Sequence, residues 1–340
     1  MIIVGAGIIG LSLAWRLAQR GVRVTVLDRN SAATEASWAA AGMLAPGGEF
    51  ESGETARFAV ESLRMYPEFV RELKEGTDYP IDFRICGTLE IDSEADPERQ
   101  AGNGIRSYAV DFGEASKLAP GMAAMEGRFR YYPDDALVDP RETCAALLSA
   151  CRTLGVRLVE NCEVAGIAIT QEVTVVSSQG KFADDRLAIA AGAWSGGIPL
   201  TVNGTLQALP RTYPVRGVLV GRKFPRRTLG PFLRRGHSYL VQRESGLAIA
   251  GTTSEEVGFD RTLPQAAIDG VVAGVEALWP GFAEGTETKA WLGFRPASEN
   301  GEPHIGRFET LPLWLAYGHF RNGILMAPAT AAKIAREMAA

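Results

Sequence analysis

Two groups of residues in this 340-residue chain have types and spacing that suggest chemistry. Near the start, Gly5, Gly7 and Gly10 stand in Gly-x-Gly-x-x-Gly spacing around Ala6, Ile8 and Ile9, with Asp28 downstream. Such glycines permit a tight turn, close approach of backbone to a pyrophosphate and close helix packing, while an acid at Asp28 accepts ribose hydroxyls. Near the end, Arg295 and Arg321 carry guanidinium groups able to hold a carboxylate in a bidentate fork. Taken alone, Arg295 reads more readily as a surface ion pair with Glu299 or Glu302, and Tyr239 as an ordinary strand tyrosine.

These residues need elements to hold them. Residues 2–4 form an apolar β run ending on glycine. Leu11, Ala14, Leu17 and Ala18 follow at helical spacing up to Gly21, and residues 24–27 give a second β run closed by Asp28. The helix start offers unpaired N–H groups and partial positive charge to phosphates. This βαβ unit predicts dinucleotide binding and leaves FAD and NAD(P) both open. Downstream, the pattern predicts helices over 54–75, 113–120, 141–154 (with Pro140 at the first turn) and 264–278, and one from about 327 to 338. Strands are expected within 82–91, at 156–159, about a Gly180 turn at 173–177 and 186–190, and at 218–220, 238–241, 247–250 and 314–317, with loops at 251–260 and 318–323. Residues 92–100 are charged and predicted to face solvent.

Composition narrows the classes. The chain is 46% hydrophobic with a formal net charge of −5 and lacks a polybasic block, which argues against nucleic acid; Arg226-Arg227 and Arg234-Arg235 read as solvated pairs. No segment approaches the ~18 apolar residues of a membrane span. Starting directly on a core strand, the chain has no room for a leader peptide, so a cytoplasmic location is expected. Cys86, Cys144, Cys151 and Cys162 form no Cys-x-x-Cys pair and, with histidines distant, predict buried free thiols and no metal site.

Several segments in order resemble glycine oxidases of the ThiO type, within the D-amino-acid oxidase family of FAD-dependent oxidoreductases. They are the glycine fingerprint, Ser37-Trp-Ala-Ala-Ala-Gly-Met-Leu44, Pro214-Val-Arg-Gly217, Gly293-Phe-Arg-Pro296 and Gly318-His-Phe-Arg-Asn-Gly323. The resemblance spans the chain end to end. It implies an α/β fold in which a Rossmann-type FAD-binding domain (1–80, 140–210, 290–340) interleaves with a smaller substrate domain on a mainly antiparallel sheet (81–139, 211–289).

The resemblance also implies roles. Ser37, Trp38, Ala41, Gly42 and Met43 cross the flavin; Asp28 meets the ribose and Val164 the adenine; Gly192 and Trp194 belong to a strand-to-helix return towards the FAD, with Arg29 a further cofactor contact; His319, Phe320, Arg321, Asn322, Gly323, Ile324 and Leu325 hold the pyrimidine edge. Arg295 would bind the substrate carboxylate, with Tyr239 closing over the substrate. Arg321 would be a second carboxylate contact or a cofactor contact. Ser254 stands where some glycine oxidases have a bulkier pocket residue, which puts strict preference for glycine in doubt. His319 is assigned to the cofactor, since this chemistry needs no dedicated protein base. The flavin is expected to be noncovalent, because the last cysteine is Cys162.

The implied reaction is oxidation of glycine or a similar small amine to an imine. Dioxygen is the acceptor, giving hydrogen peroxide, and the imine yields glyoxylate and ammonia or passes to a thiazole synthase. A dehydrogenase passing electrons to a quinone or partner protein and a non-catalytic flavin-binding scaffold remain open. An aromatic hydroxylase is disfavoured by the absence of a Gly-Asp dipeptide. Family members are often homo-oligomers, but no strip of residues marks an interface.

Overall fold

The computed structural model describes residues 1–50 and 53–338. The first strand, Ile2–Val4, is buried throughout, as a central parallel strand must be. It pairs in parallel with Thr25–Leu27 on one side and Leu187–Ile189 on the other. Arg157–Val159 extends the sheet beyond Thr25–Leu27, and Leu313–Tyr317 extends it beyond Leu187–Ile189. His304–Arg307 closes that edge antiparallel, making six strands.

Gly5 and Gly10 are both required at the first turn. Gly5 has φ +107°, and a Cβ there would sit 2.3 Å from the Ala190 carbonyl oxygen. A Cβ on Gly10 would sit 1.9 Å from the Gly5 carbonyl oxygen, so helix Ile8–Ala18 packs against the turn only without a side chain.

A second, eight-stranded sheet is antiparallel except where Phe232–Arg235 runs parallel to Thr88–Ile91. Its long strands Thr212–Lys223 and Thr286–Ser298 pair over most of their length. The fold is thus α/β, with one largely parallel sheet and, among the described residues, three that are largely antiparallel. The small sheet of Met43–Leu44, Ala136–Val138 and Phe83–Ile85 joins early and middle segments. The predicted turn at Gly180 instead begins a further strand, Gly180–Asp184, paired antiparallel to Val173–Ser177.

The last helix, Gly323–Glu337, starts four residues ahead of the expected 327. The sequence invited the later start because Pro328 normally belongs in a first turn. Inside the helix, Pro328 cannot donate to the Ile324 carbonyl one turn back. The Tyr66 hydroxyl donates to that carbonyl instead, and the Ser62 hydroxyl accepts the Ala329 N–H at 3.2 Å. Ser62 and Tyr66 lie one turn apart on helix Glu54–Gly76, so one face of it repairs the break. Residues 92–99 are exposed or half-buried as expected, and only Gln100 departs: it is fully buried, and its Nε2 donates to the Gly47 carbonyl at 2.6 Å.

Candidate functional site

The strand ends, the glycine turn and the start of helix Gly323–Glu337 open onto one cavity of about 480 Å³ that also reaches the eight-stranded sheet. At the fingerprint end, Asp28 braces the turn. Its Oδ2 accepts the Ala6 N–H at 2.6 Å and its Oδ1 accepts the Asn30 N–H at 2.9 Å. Burial pushes the Asp28 carboxyl up, opposed by these two bonds. The start of helix Ile8–Ala18 carries no acidic residue, and the Ser37 hydroxyl accepts the Ile8 N–H at 2.9 Å. Gly7 has space on its cavity side, with only Ser37 Oγ within contact of an added Cβ, at 3.2 Å. A turn stripped of side chains, N–H groups at a helix start and an adjoining carboxylate fit the pyrophosphate and ribose of a dinucleotide. Beside them, the Arg29 guanidinium lies 4.8 Å from the Trp194 ring centroid, and Trp194 stacks on Phe259 at 4.7 Å.

Arg295 enters the other end from strand Thr286–Ser298. Gly217 on the paired strand gives it room: a Cβ there would stand 2.3 Å from Arg295 Nη2. Arg295 Nη2 donates to Thr252 Oγ1 at 2.7 Å and Nη1 to the Thr253 carbonyl at 3.1 Å. Both acceptors are neutral, and no ion pair within 4 Å among the described residues involves this guanidinium. The surface-pair alternative is not realised, since Glu299 pairs with Arg211 at 3.0 Å and Glu302 accepts from Thr55. Burial pulls the Arg295 pKa down from its ordinary value, yet a guanidinium starts so high that it keeps its proton inside a protein. The result is an uncompensated cation facing the cavity.

Tyr239 is 5% exposed and lies beside it; burial pushes its phenol up, while the charges of Arg295 and Arg321 pull it down. Gly251, opposite Tyr239 across the strand pair, leaves space that a Cβ would take, 2.1 Å from the ring. Arg321 is held differently. Its Nη2 lies 3.1 Å from Glu49 Oε1, which Arg234 Nη1 also reaches at 2.8 Å. Glu49 and Arg234 both line the cavity and were missed in the sequence. Arg234 had read as one of a solvated pair, but lies in a strand with its side chain turned inward, bound between Glu49 and Glu90. Thr252 was missed also, for want of any signal in a plain Thr-Thr pair.

His319 is 4% exposed, with Nε2 3.0 Å from Thr330 Oγ1. Burial, helped by His304, pushes its pKa down to about 3, so it stays neutral at ordinary pH. Phe320 adopts a left-handed conformation, φ +48°, which a bulky residue tolerates only where its surroundings impose it. Phe320, Asn322, Gly323 and Ile324 all line the cavity at the start of the last helix, whose N-cap has no side-chain bond.

The cavity therefore gathers Gly5, Gly7, Ile8, Ile9, Asp28, Arg29, Ser37, Ala41, Gly42, Met43, Val164, Gly192, Trp194, Tyr239, Arg295, His319 and Arg321 with the residues just named. Ala6, Gly10, Trp38, Ser254 and Leu325, also expected at the site, do not line this cavity. Ala6 and Gly10 shape the turn from behind, and Leu325 lies in the core at 1% exposure. The Trp38 ring turns outward, against Trp291 and 3.7 Å under the Arg141 guanidinium. Ser254 is exposed; the loop presents Thr252 inward instead.

A family model described as FAD dependent oxidoreductase (DAO) matches residues 1–337. The chain is 34% identical over 345 residues to the bifunctional protein ThiO/ThiG of Synechocystis sp., covering 98% of this chain and 50% of that protein. It thus spans about half the length of the bifunctional relatives it matches. It is 31% identical over 351 residues to the glycine oxidase of Geobacillus kaustophilus, covering 98% and 91% of the two chains. The crystal structure of the glycine oxidase from Geobacillus kaustophilus superimposes with a TM-score of 0.90, at 28% identity, covering 98% of this chain and 94% of that one.

Proposed function

Because the chain belongs to the DAO family of FAD-dependent oxidoreductases, we propose that it oxidises glycine or a similar small amino acid or amine to the imine with dioxygen as acceptor. The observation that carries this reading is the unpaired Arg295 guanidinium in the same cavity as the glycine fingerprint. A small carboxylate held there in a bidentate fork places its α-carbon deeper in the cavity, and such positioning supplies much of the rate. FAD, held there, would supply the acceptor for the hydride at the α-carbon, and that hydride together with the proton lost from the amine would reduce dioxygen to hydrogen peroxide. Water then converts the imine to glyoxylate, or another 2-oxo acid, and ammonia.

In this reading residues 1–80, 140–210 and 290–340 hold the cofactor, and 81–139 and 211–289 supply the substrate side. The turn from Gly5 to Gly10, with Asp28 and Ser37, carries the pyrophosphate and ribose. Arg29, Val164, Gly192 and Trp194 serve the adenine. The N–H groups of Asn322, Gly323 and Ile324 stabilise negative charge on the reduced pyrimidine edge. The Tyr239 phenol, kept protonated by burial, donates to the substrate carboxylate. Arg321 adds positive charge, tempered by its ion pair with Glu49. No protein base is required, and His319, its pKa pushed down to about 3 by burial, is too weak a proton acceptor to serve as one.

A second reading is favoured by the match to one half of bifunctional ThiO/ThiG proteins: the imine passes to a thiazole synthase in thiamine biosynthesis before hydrolysis. The deciding experiment is a peroxide assay on purified yellow protein with glycine, sarcosine and D-alanine, joined to anaerobic reduction by the best of them. Flavin that bleaches and recovers its colour in air supports an oxidase. Flavin that stays bleached in air makes the protein a dehydrogenase, and flavin that no substrate bleaches makes it a scaffold.

A further inference from the structure

We propose that Arg216 and Glu255, which touch neither cavity nor substrate, are positioning residues that lock the Thr252–Thr253 segment onto the Arg295 guanidinium. The proposal rests on the reading of Arg295 as the carboxylate-binding group.

The segment is a bulge. Strand Thr212–Lys223 pairs with strand Leu247–Gly251 up to Leu219 opposite Gly251, and pairing resumes only at Arg216 opposite Glu255. Thr252, Thr253 and Ser254 therefore stand opposite Gly217 and Val218, with one residue in excess. Bulges of this kind re-aim side chains beside functional sites. Here the excess turns Thr252 Oγ1 and the Thr253 carbonyl onto Arg295, at 2.7 and 3.1 Å.

What keeps the bulge in this shape is a chain of bonds leading away from the cavity. Thr253 Oγ1 accepts the Val218 N–H at 3.0 Å and donates to Glu255 Oε2 at 3.0 Å. The same oxygen accepts Arg216 Nε at 2.9 Å. Arg216 and Glu255 also exchange both backbone hydrogen bonds, at 2.9 and 3.0 Å. Arg216 is 3% exposed, and its Nη1 reaches Asp260 Oδ2 at 2.9 Å and the Thr262 carbonyl at 3.1 Å. One buried guanidinium thus pins both ends of the loop that begins on Arg295 and carries Phe259 against Trp194.

The arrangement separates orientation from neutralisation. A carboxylate placed directly on Arg295 would fix its direction and also cancel the charge that the substrate needs. Here the charge pairing lies with Arg216, Glu255 and Asp260, and reaches Arg295 only through a neutral hydroxyl and a carbonyl. Arg295 is oriented and left unpaired.

The test uses the FAD-loaded full chain and two readouts: the dissociation constant of acetate from its perturbation of flavin absorbance, and KM and kcat with glycine. Glu255→Ala is expected to raise the acetate constant and the glycine KM together by about tenfold, the effect of one charge-supporting hydrogen bond. Glu255→Gln, which keeps an acceptor in place, is expected to recover most of the loss. Thr253→Val removes the link without disturbing the ion pair, and is expected to change both constants in the same direction should Glu255→Ala fail to fold. Lowered melting temperature with unchanged acetate binding and KM in the folded variants overturns the proposal, leaving a purely structural clamp. Arg295→Met distinguishes the premise: if it binds acetate like the parent, the role of Arg295 fails and the proposal with it.

Discussion

Tyr66→Phe removes one oxygen from the buried face of helix Glu54–Gly76 and should weaken the grip on the cofactor some distance away. The Tyr66 hydroxyl serves the Ile324 carbonyl that Pro328 cannot reach, and Ile324 is only 7% exposed. An acceptor left buried without a donor costs about 1–3 kcal/mol. For 340 residues, an unfolding entropy of about 2.1 cal/mol/K per residue gives about 0.7 kcal/mol/K, so the melting temperature should fall by roughly 1.5–4 °C. Pro328→Ala restores an N–H one turn along, so the double variant should regain a large part of that loss. The measurement is a double-mutant cycle on FAD-loaded protein, followed by tryptophan fluorescence and by flavin release. Because Ile324 lines the cavity, Tyr66→Phe should also release flavin at a lower temperature. A variant melting within about 0.5 °C of the parent, or a loss untouched by Pro328→Ala, would refute the repair of the proline break.

Arg295→Met should retain FAD but lose about 2–5 kcal/mol of substrate interaction, which lowers kcat/KM for glycine by roughly thirtyfold to several thousandfold; unchanged kinetics would remove Arg295 from the reaction. Asp28→Ala should weaken FAD itself, measured by reconstitution of apoprotein, since it loses both a ribose acceptor and the brace on Ala6; equal flavin affinity would contradict both roles. Asp135 is buried and bonded to Thr88, and burial pushes its pKa up to about 8 from an ordinary 3.8. The folded state therefore keeps a proton that the unfolded chain has already shed. Its stability contribution is complete below about pH 4 and is lost as pH climbs toward 8. Asp135→Asn, which cannot ionise, should flatten the fall in melting temperature between pH 5 and 8, and parallel slopes would rule this out.

The fingerprint was legible because its physics is local: a glycine at φ +107° and another pressed against its carbonyl announce themselves as glycines in fixed spacing. Arg295 was legible only through resemblance, since neighbouring Glu299 and Glu302 offered a plausible pair and their real partners, Arg211 and Thr55, are remote in sequence. Glu49, Arg234 and Thr252 escaped because each acquires meaning from a partner elsewhere: Glu49 from Arg321, Arg234 from Glu49, Thr252 from Arg295. Ser254 is exposed because a bulge of one residue turns Thr252, two positions earlier, inward. The helix start at Gly323 was hidden because the groups that tolerate Pro328 lie on another helix.

The central place of Ile2–Val4 in its sheet also sets a timetable. Its neighbour Thr25–Leu27 is synthesised almost at once, but Leu187–Ile189, on the other side, follows 183 residues after Val4. At about 5–20 residues per second, that is roughly 10–40 s during which one edge of the nucleotide-binding strand has no partner. The start of the last helix, which closes the far end of the cavity, arrives later still. A nascent chain can build the glycine turn early, but it completes the cavity only once the start of helix Gly323–Glu337 has been made. Loading of the cofactor accordingly waits on the last helix, however early the glycine turn is made.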